Sequence, residues 1–429
     1  MSKKVLIITY YWPPAGGPGV QRWLKFVKYL PQFGIEPMVY VPANPSYPII
    51  DETLLSEIPD GISVLKQPIL EPYKIASFFS LKKVKTIAKG IINDKAKQGW
   101  KERFLLAIRG NLFIPDARKS WVKPSVRYLS TLIEDFGIDT VISTGPPHSM
   151  HLIGYKLKLK HSIQWIADFR DPWTTIGYHK QLKLLSPAKK KHIRLESEVL
   201  NKADKIIVTS HKTLEEFESK TTTPVKVITN GFDDHGIIKP KKEAKFTLSH
   251  IGSLLSERNP EVLWKVLSEL VKENEDFKLH FQLHLYGTVS ESIIDSLTEY
   301  GLKGFVTSHG YVSHEEAIKA QMVSQVLLLI EIDSEDTKAI IPGKLFEYLA
   351  SGTPILSIGP KNSEVETILK VTNTGNYFNY TSYSELKNQI LLYFESYKTG
   401  TLQTQPVGVE RYSRKALTKT LTEYMSWEL

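Results

Sequence analysis

The chain has 429 residues, which exceeds one ordinary hydrophobic core and fits two domains. Its 41% hydrophobic and 24% charged residues are typical of a soluble globular protein, and no uninterrupted apolar stretch of about 18 residues predicts a membrane-spanning helix. The absence of cysteine excludes disulfides, thiolate metal sites and cysteine nucleophiles, and it favours a reducing, cytoplasmic setting. The opening MSKKVLIITYYWPP is too short for a signal peptide, so we expect a first strand there.

The net charge of +9 is concentrated in residues 74–123, where thirteen Lys or Arg accompany three acidic residues. Such an excess suggests an anionic partner. A solvated helical face is one interpretation, and a membrane-surface patch is the other, because aromatic residues lie among the basic ones. These aromatic residues are Phe78, Phe79, Trp100, Phe104 and Phe113. No nucleic-acid-binding module is visible, so we expect no nucleic-acid partner.

Short apolar runs alternate with helical patterns through the first half. KVLIIT (4–9) has the continuous hydrophobicity of a strand buried on both faces, and Val20, Trp23, Leu24 and Val27 then recur at helical spacing. Further strands are expected at PMVYVP (37–42), DTVIST (139–144), IQWIAD (163–168), DKIIVTS (204–210) and VKVITN (225–230). Strands separated by helices predict a parallel, doubly wound sheet.

The same alternation restarts after the polar stretch HGIIKPKKEAK (235–245), which we interpret as the interdomain linker. The strands expected there are FTLSHIGS (246–253), LHFQLHLYG (279–287), QVLLLI (325–330) and TPILSI (353–358). Residues 1–234 then form a Rossmann-like N-terminal domain and residues 246–408 a second one, with residues 409–429 as a C-terminal helix packing back on the first. Ligands of open parallel sheets bind at the carboxyl ends of the strands.

The loop YYWPPAGGPGVQRWLKF (10–26) is unusually rich in glycine and proline. Gly16, Gly17 and Gly19 remove side chains where the first strand meets the first helix, and Pro18 can begin that helix, whose free N–H groups would point at a ligand. A tight turn without a ligand is the alternative. The loop is not G-x-G-x-x-G and no acidic residue clearly ends the second strand, which disfavours a nicotinamide dehydrogenase.

This loop is also part of a longer similarity. YYWPPAGGPGVQRWLKFVKYLPQFGIEP resembles the opening of the retaining glycosyltransferases of family 4, and is closest to a bacterial surface-polysaccharide branch with a PPAGG-x-GVQR loop. Six further segments follow in the order of that family, and residues 50–120 match least. They are STGPPHSMHLIGYKLK (143–158), WIADFRDPW (165–173), VTSHKTLEEF (208–217), ITNGFD (228–233), HIGSLLSERNPEVL (250–263) and IPGKLFEYLASGTPIL (341–356). The resemblance implies the α/β GT-B fold, in which two doubly wound Rossmann-like domains face a cleft.

The resemblance places a nucleotide-sugar donor on the C-terminal domain. Its diphosphate would lie near Gly252 and Ser253 in HIGSLLSER, where Ser253 stands in place of the family's arginine and Arg258 in place of its lysine. Arg258 would hold phosphate oxygens and stabilise the leaving diphosphate, and a plain surface arginine is the alternative.

The segment IPGKLFEYLASG predicts a short helix with Gly343 leaving its N-terminus open to an anion. Lys344 would be a second catalytic cation, and we expect it on the face opposite the buried residues together with Glu347. By resemblance, Glu347 is the second glutamate of the family's Glu-x7-Glu pattern and contacts the ribose. An exposed ion pair is the alternative.

Charged residues of the N-terminal domain supply the remaining candidates. Asp168, Arg170 and Asp171 in ADFRDPW are expected just past a strand, and the resemblance puts Arg170 nearest to a family histidine that reaches the donor sugar. Arg170 and Asp171 are therefore catalytic candidates and Asp168 an acceptor-side candidate, unless the trio only braces a loop. His148 in TGPPHS is the other acceptor-side candidate, with a structural histidine as the alternative.

No D-x-D motif stands in the context that would bind a metal, since DSED (333–336) lies in the other domain, and no histidine cluster has metal-ligand spacing. We therefore expect neither a metal nor another cofactor, with Arg258, Lys344 and helix N-termini stabilising the diphosphate instead. The resemblance implies retention by front-face attack, in which the leaving phosphate accepts the acceptor's proton. No convincing pair of carboxylates of the glycosidase kind is present.

The expected function is glycosyl transfer from a nucleotide sugar to a glycan or lipid-linked acceptor in cell-surface polysaccharide synthesis, in the cytoplasm or peripherally at the inner face of an anionic membrane. A non-hydrolysing nucleotide-sugar epimerase is one alternative, disfavoured because the basic segment and the PPAGG loop suit transfer. A catalytically silent sugar-nucleotide-binding or scaffold protein is the other. It stays open because Ser253 and Ala339 depart from the family pattern, with Glu331 and Glu335 out of register for the first glutamate.

Overall fold

The computed structural model describes residues 3–71, 100–180, 182–233 and 240–426. The chain divides into two compact units, the first formed by Met1–Thr229 together with Arg414–Leu429 and the second by Asn230–Ser413. Each unit is built on one sheet of parallel strands. Residues 240–245 of the expected linker belong to the second unit, and residues 235–239 lie outside the described residues.

The sheet of the first unit has seven strands in the order β3-β2-β1-β4-β5-β6-β7. The strands are β1 (Lys3–Ile8), β2 (Ile35–Pro42), β3 (Ser63–Gln67), β4 (Thr140–Gly145), β5 (Gln164–Phe169), β6 (Lys205–Val208) and β7 (Val225–Val227). Leu6 and Ile8 enter the hydrophobic core on one face of β1, whereas Val5 and Ile7 enter a separate core on the other face. Burial on both faces explains why this strand is apolar without alternation.

Helices connect these strands. They are α1 (Pro18–Tyr29), α2 (Trp100–Leu112), α3 (Val122–Phe136), α4 (Ser149–Lys158), α5 (Gly177–Lys180), α6 (Ser186–Lys202) and α7 (His211–Glu218). As the sequence predicts, Pro18 begins α1, and Gly17 precedes it with a φ of 100°, a conformation that favours glycine.

The second unit has six strands in the order β10-β9-β8-β11-β12-β13. The strands are β8 (Phe246–Ile251), β9 (Phe281–Tyr286), β10 (Val306–Gly310), β11 (Val326–Ile330), β12 (Ile355–Ile358) and β13 (Gly375–Phe378). The helices are α8 (Glu261–Glu273), α9 (Glu275–His280), α10 (Glu291–Glu299), α11 (His314–Val323), α12 (Gly343–Ser351), α13 (Glu364–Thr372) and α14 (Tyr383–Lys398). The strand order reverses between β8 and β11, which makes their carboxyl ends the place where ligands of such sheets bind.

The last helix, α15 (Arg414–Met425), belongs to the first unit although it follows the second in sequence. Leu417, Leu421 and Met425 enter the same core as Trp23 of α1. Arg414 adds a hydrogen bond of 3.0 Å from Nη2 to the Gln21 side chain. The chain therefore returns to the first unit at its C-terminal end.

Most of the expected basic segment cannot be described, since residues 74–99, including Phe78 and Phe79, lie outside the described residues, as do the side chains of Trp100 and Phe104. Of the described basic side chains in it, Arg118 lies 3.3 Å from Glu71 and over the ring of Tyr10. The Arg118 side chain therefore makes contacts within the protein. No helix within the described ranges is both long and apolar enough to span a bilayer.

Candidate active site

Two glycines shape the carboxyl ends of β8 and β9. Gly252 follows β8 with a φ of 113°, and a Cβ atom there would lie 2.8 Å from Nζ of Lys344. Gly287 follows β9 with a φ of 103°, and a Cβ atom there would lie 2.9 Å from the carbonyl carbon of Gly252. Both positions favour glycine through their φ; at Gly287 the backbone of Gly252 also blocks a side chain, whereas at Gly252 a side chain would displace the Lys344 amine. The Lys344 amine consequently reaches the backbone at the end of β8.

The Lys344 amine contacts the ring of His250, a residue that sequence reasoning missed. Its Nε2 lies 3.2 Å from Nζ of Lys344, and its Nδ1 lies 3.1 Å from the carbonyl oxygen of Leu328 in the neighbouring strand β11. Burial, reinforced by the nearby Lys344, lowers the pKa of His250 well below its usual value, so the ring is neutral. A neutral ring that donates from Nδ1 to Leu328 presents the lone pair of Nε2 to the amine.

The Lys344 side chain is half-buried, and not exposed as the ion-pair alternative supposes. Burial, together with the neighbouring Arg258, lowers the pKa of Lys344 to about 7, while Glu347 acts in the opposite direction. Glu347 is itself held by Gln321 of α11, whose Nε2 donates to Oε2 over 3.0 Å. The single carboxylate of Glu347 therefore does not offset the effects of burial and of Arg258 on the Lys344 amine.

The remaining features of this place suit an anion. Arg258 ends a 3₁₀ turn, Ser256–Arg258, and Ser253 is exposed. Pro342 precedes α12 and provides no side-chain cap, and open space lies where a side chain of Gly343 would be. Two basic side chains and an uncapped helix N-terminus favour a phosphate or diphosphate.

Glu331, which the sequence placed out of register, is a buried carboxyl of this unit. It follows β11 directly and accepts hydrogen bonds from Ser363 Oγ at 2.9 Å and Tyr377 OH at 2.8 Å. Burial raises the pKa of Glu331 to about 7, an effect that the hydroxyls and Arg258 partly offset. Glu335, by contrast, is exposed and pairs with Lys338 at 2.6 Å.

In the first unit, the protein's own packing accounts for the glycine loop. A Cβ atom on Gly16 would lie 2.9 Å from the Ile49 side chain, and one on Gly19 would lie 1.8 Å from Nη1 of Arg170. No atom lies within 4 Å of the position a Gly17 Cβ would take, so its positive φ is the reason for glycine there. Packing and backbone conformation thus explain Gly16 and Gly17 without a ligand, whereas at Gly19 a side chain would displace the end of the Arg170 side chain.

Asp168 lies inside β5 and not after it, so the expectation that it follows the strand is wrong. The carboxylate is fully buried and accepts hydrogen bonds of 2.8 Å from Arg22 Nη2, Trp23 Nε1 and Thr144 Oγ1. The Arg22 guanidinium and these donors hold the pKa of Asp168 below its usual value, despite the opposing effect of burial. This residue therefore anchors α1 to the sheet, because every contact it makes here is internal.

Arg170 and His148 lie near each other after β5 and β4. Arg170 donates from Nη2 to the carbonyl oxygen of Pro146, and its guanidinium lies 5.8 Å from the ring centre of Tyr11. The buried His148 ring stacks on Trp173 at 4.7 Å, and neither ring nitrogen has a hydrogen-bond partner within the described residues. Burial lowers the pKa of His148 well below its usual value, and the cation of Arg170 adds to this.

Burial raises the pKa of Asp171, with Arg170 partly offsetting the effect.

In the described ranges, no three His, Asp or Glu side chains come together in a group that could hold a metal ion. The structure thus brings Gly252, Arg258, Lys344 and Glu347 together in the second unit, and Arg170 with the glycine loop and His148 in the first.

Residues 93–235 match the family model of Glycosyltransferase Family 4. The matched stretch covers a third of the chain and lies largely within its first unit. The matched residues include His148, Asp168, Arg170 and Asp171. No curated protein sequence matches the chain.

Solved structures resemble the whole chain. Anabaena Alr3699/HepE in complex with UDP and glucose has a TM-score of 0.59 at 14% identity over 100% of both chains. The lipopolysaccharide outer core galactosyltransferase WaaB has a TM-score of 0.58 at 15% identity, and sucrose-phosphate synthase from Thermosynechococcus elongatus has 0.59 at 13%, each over 98% of both chains. These likenesses confirm the predicted two-domain α/β GT-B fold.

Proposed function

We propose that the protein is a glycosyltransferase that takes its sugar from a nucleotide-sugar donor bound in the second unit. The observation that carries this proposal is the place of the Lys344 amine against Gly252, with Arg258 as a neighbouring cation, beside the uncapped N-terminus of α12. The diphosphate of a nucleotide sugar supplies the negative charge that this place lacks. The family match and the structural relative HepE, solved in complex with UDP-glucose, support the same donor class.

In the proposed reaction, the bond between the sugar C1 and the diphosphate oxygen breaks, and a bond from an acceptor hydroxyl oxygen to C1 forms. The hydroxyl proton goes to the leaving phosphate, which keeps the charges balanced. Arg258 and Lys344 stabilise the negative charge that develops on that phosphate, without a metal ion. We propose retention of configuration by attack on the face the phosphate leaves, following the motif resemblance. Glu347 would hold the ribose, as the same motif implies.

The first unit is the proposed acceptor side, with Arg170, Asp171 and His148 as its candidate contacts. A glycan or lipid-linked acceptor in cell-surface polysaccharide synthesis fits the motif resemblance, and the cysteine-free chain suits the cytoplasm. For a lipid-linked acceptor, we propose salt-sensitive contact of the basic segment 74–123 with an anionic membrane. Sedimentation with anionic vesicles at low and high salt tests this. Protein left in the supernatant at low salt would contradict it.

One observation favours a second candidate function. A putative UDP-N-acetylglucosamine 2-epimerase from Listeria monocytogenes has a TM-score of 0.54 at 11% identity, over 98% of this chain and 95% of that one. Incubation with a panel of nucleotide sugars, with and without a mixed acceptor extract, separates the functions. Acceptor-dependent release of nucleoside diphosphate supports transfer, whereas an isomerised donor identifies an epimerase. Binding without either product identifies a silent scaffold and contradicts the proposal.

A further inference from the structure

The contact between His250 and Lys344 suggests that anion binding at this site is coupled to protonation of the Lys344 amine. We propose that His250 is a positioning residue which holds the Lys344 amine at the end of β8, and that a nucleoside diphosphate binding there brings a proton to this amine. The inference rests on the proposed function, because it uses the same donor site. It adds a role for His250, to which the motif resemblance assigned none, and a dependence of donor binding on pH.

The geometry fixes the ring and the amine together. His250 is 1% exposed and lies in a central strand between β9 and β11, so its ring cannot move freely. The bond from Nδ1 to the Leu328 carbonyl orients it, and Nε2 then faces Nζ of Lys344 at 3.2 Å. The missing side chain of Gly252 leaves the amine its place, since a Cβ atom there would lie 2.8 Å away.

The titratable groups around the amine belong to three elements, the 3₁₀ turn after β8, the helix α12 and the strand β8. Arg258 lies in the 3₁₀ turn after β8, Glu347 lies in α12 together with Lys344, and the neutral His250 lies in β8. The neutral hydroxyl of Tyr348 bonds to the backbone of Ile251 nearby. One cation thus opposes one anion, and burial decides the balance by lowering the pKa of Lys344 to about 7.

A diphosphate changes this balance. Its negative charges favour the charged amine, so the pKa of Lys344 rises on binding and a proton enters from solvent when the pH lies above about 7. Affinity should then fall by up to about tenfold for each pH unit above 7, until the pKa of the bound state is reached. Lys344→Arg provides the matched control, because arginine carries a fixed charge at all these pH values.

The test is calorimetry at pH 8 with UDP, GDP, ADP and CDP, each in two buffers of different ionisation enthalpy. For a nucleotide that binds, we expect the wild type to take up close to one proton more than Lys344→Arg does. Comparison with this variant cancels the titration of the nucleotide itself. Equal proton uptake by the two proteins would overturn the inference while leaving the proposed function intact. If none of the four nucleotides binds at any pH, the proposed donor site is wrong as well.

Two near-isosteric variants test the role of His250. In His250→Asn the amide can keep the position of Nδ1 and its bond to Leu328, but it no longer reaches the amine. In His250→Gln the amide reaches the position of Nε2 and can still accept from the amine. We expect the midpoint of the affinity–pH profile to fall by about one unit in His250→Asn and to stay within about half a unit in His250→Gln. A purely structural histidine would lower affinity equally at all pH values in both variants, and that outcome would overturn the positioning role.

Discussion

Asp168 in β5 and Arg22 in α1 form a fully buried ion pair, with 2.8 Å between Oδ1 and Nη2. Trp23 of the same helix donates to the same carboxylate, and Arg22 also donates to the carbonyl oxygen of Thr229. The helix that follows the glycine loop is thereby fixed against the centre of the sheet. Arg170 packs against Gly19 in the first turn of the same helix.

Asp168→Asn should destabilise the first unit. The substitution leaves the Arg22 cation buried without its anion, which typically costs about 3–5 kcal/mol of unfolding free energy. Because the pKa of Asp168 is lowered in the folded state, the pair stabilises the fold above the unfolded pKa of about 3.9, and this contribution is lost as the pH falls through the folded pKa. Chemical denaturation at pH 7 and in acid should show the difference between wild type and variant shrinking in acid.

The matched control is Glu198→Gln, which breaks the exposed pair of Glu198 with Arg194 at 3.5 Å and should cost less than about 1 kcal/mol. If Asp168→Asn kept full stability but lost turnover, the carboxylate would be a ligand contact and not an anchor.

Gly19→Ala should act through Arg170. The new methyl group would collide with the guanidinium, so Arg170 must leave its position over the loop. We expect Gly19→Ala and Arg170→Ala each to lower kcat/KM about tenfold or more, and the double variant to lose little beyond either one, since both changes displace the same group. Gly304→Ala is the control, because its Cβ would meet no atom within 4 Å. Fully additive losses would show that Gly19 and Arg170 act independently.

The central strands of both sheets could be predicted from the sequence, but three of the four edge strands could not. The missed strands are β3, β10 and β13, and each lies at the edge of its sheet. In β10, for example, Ser308, His309 and Gly310 are exposed, so the strand lacks the apolar run that marks a buried one. Central strands such as β1 are buried on both faces and are therefore easily recognised.

The cluster of residues at the carboxyl end of β8 was predicted only in part. Motif spacing pointed to Gly252, Arg258 and Lys344, which the structure brings together. His250 was not singled out, because it stands in β8 among the other polar residues Thr247 and Ser249 and its partner Lys344 is 94 residues away. Glu331 was noticed but set aside for its register, since a linear pattern does not show that β11 ends beside Arg258.

Glu331→Gln should change how stability depends on pH. Burial raises the pKa of Glu331 to about 7, above the unfolded value of about 4.3, so the folded state binds more protons between these values. As the pH rises from about 4.3 to about 7, the unfolding free energy of the wild type should therefore fall relative to that of Glu331→Gln. Denaturation curves at pH 5 and pH 8 measure this. The same slope in both proteins would contradict the raised pKa, and exposed Glu335→Gln should leave the slope unchanged.

Turnover should not require a divalent metal. The proposed site has Arg258 and Lys344 to stabilise the leaving diphosphate. We expect unchanged initial rates in excess EDTA with whichever donor proves active. Loss of turnover that magnesium or manganese restores would assign this role to a metal ion instead.

Nucleoside diphosphate binding to Arg258→Ala and Lys344→Ala tests the donor site most directly. Charge-assisted hydrogen bonds contribute about 1.5–3 kcal/mol each, so each variant should bind at least about tenfold more weakly than the wild type by calorimetry at pH 7. Lys272→Ala, at an exposed position on α8, is the control and should bind as the wild type does. Wild-type affinity in both Arg258→Ala and Lys344→Ala would contradict the assignment of the donor diphosphate to this site.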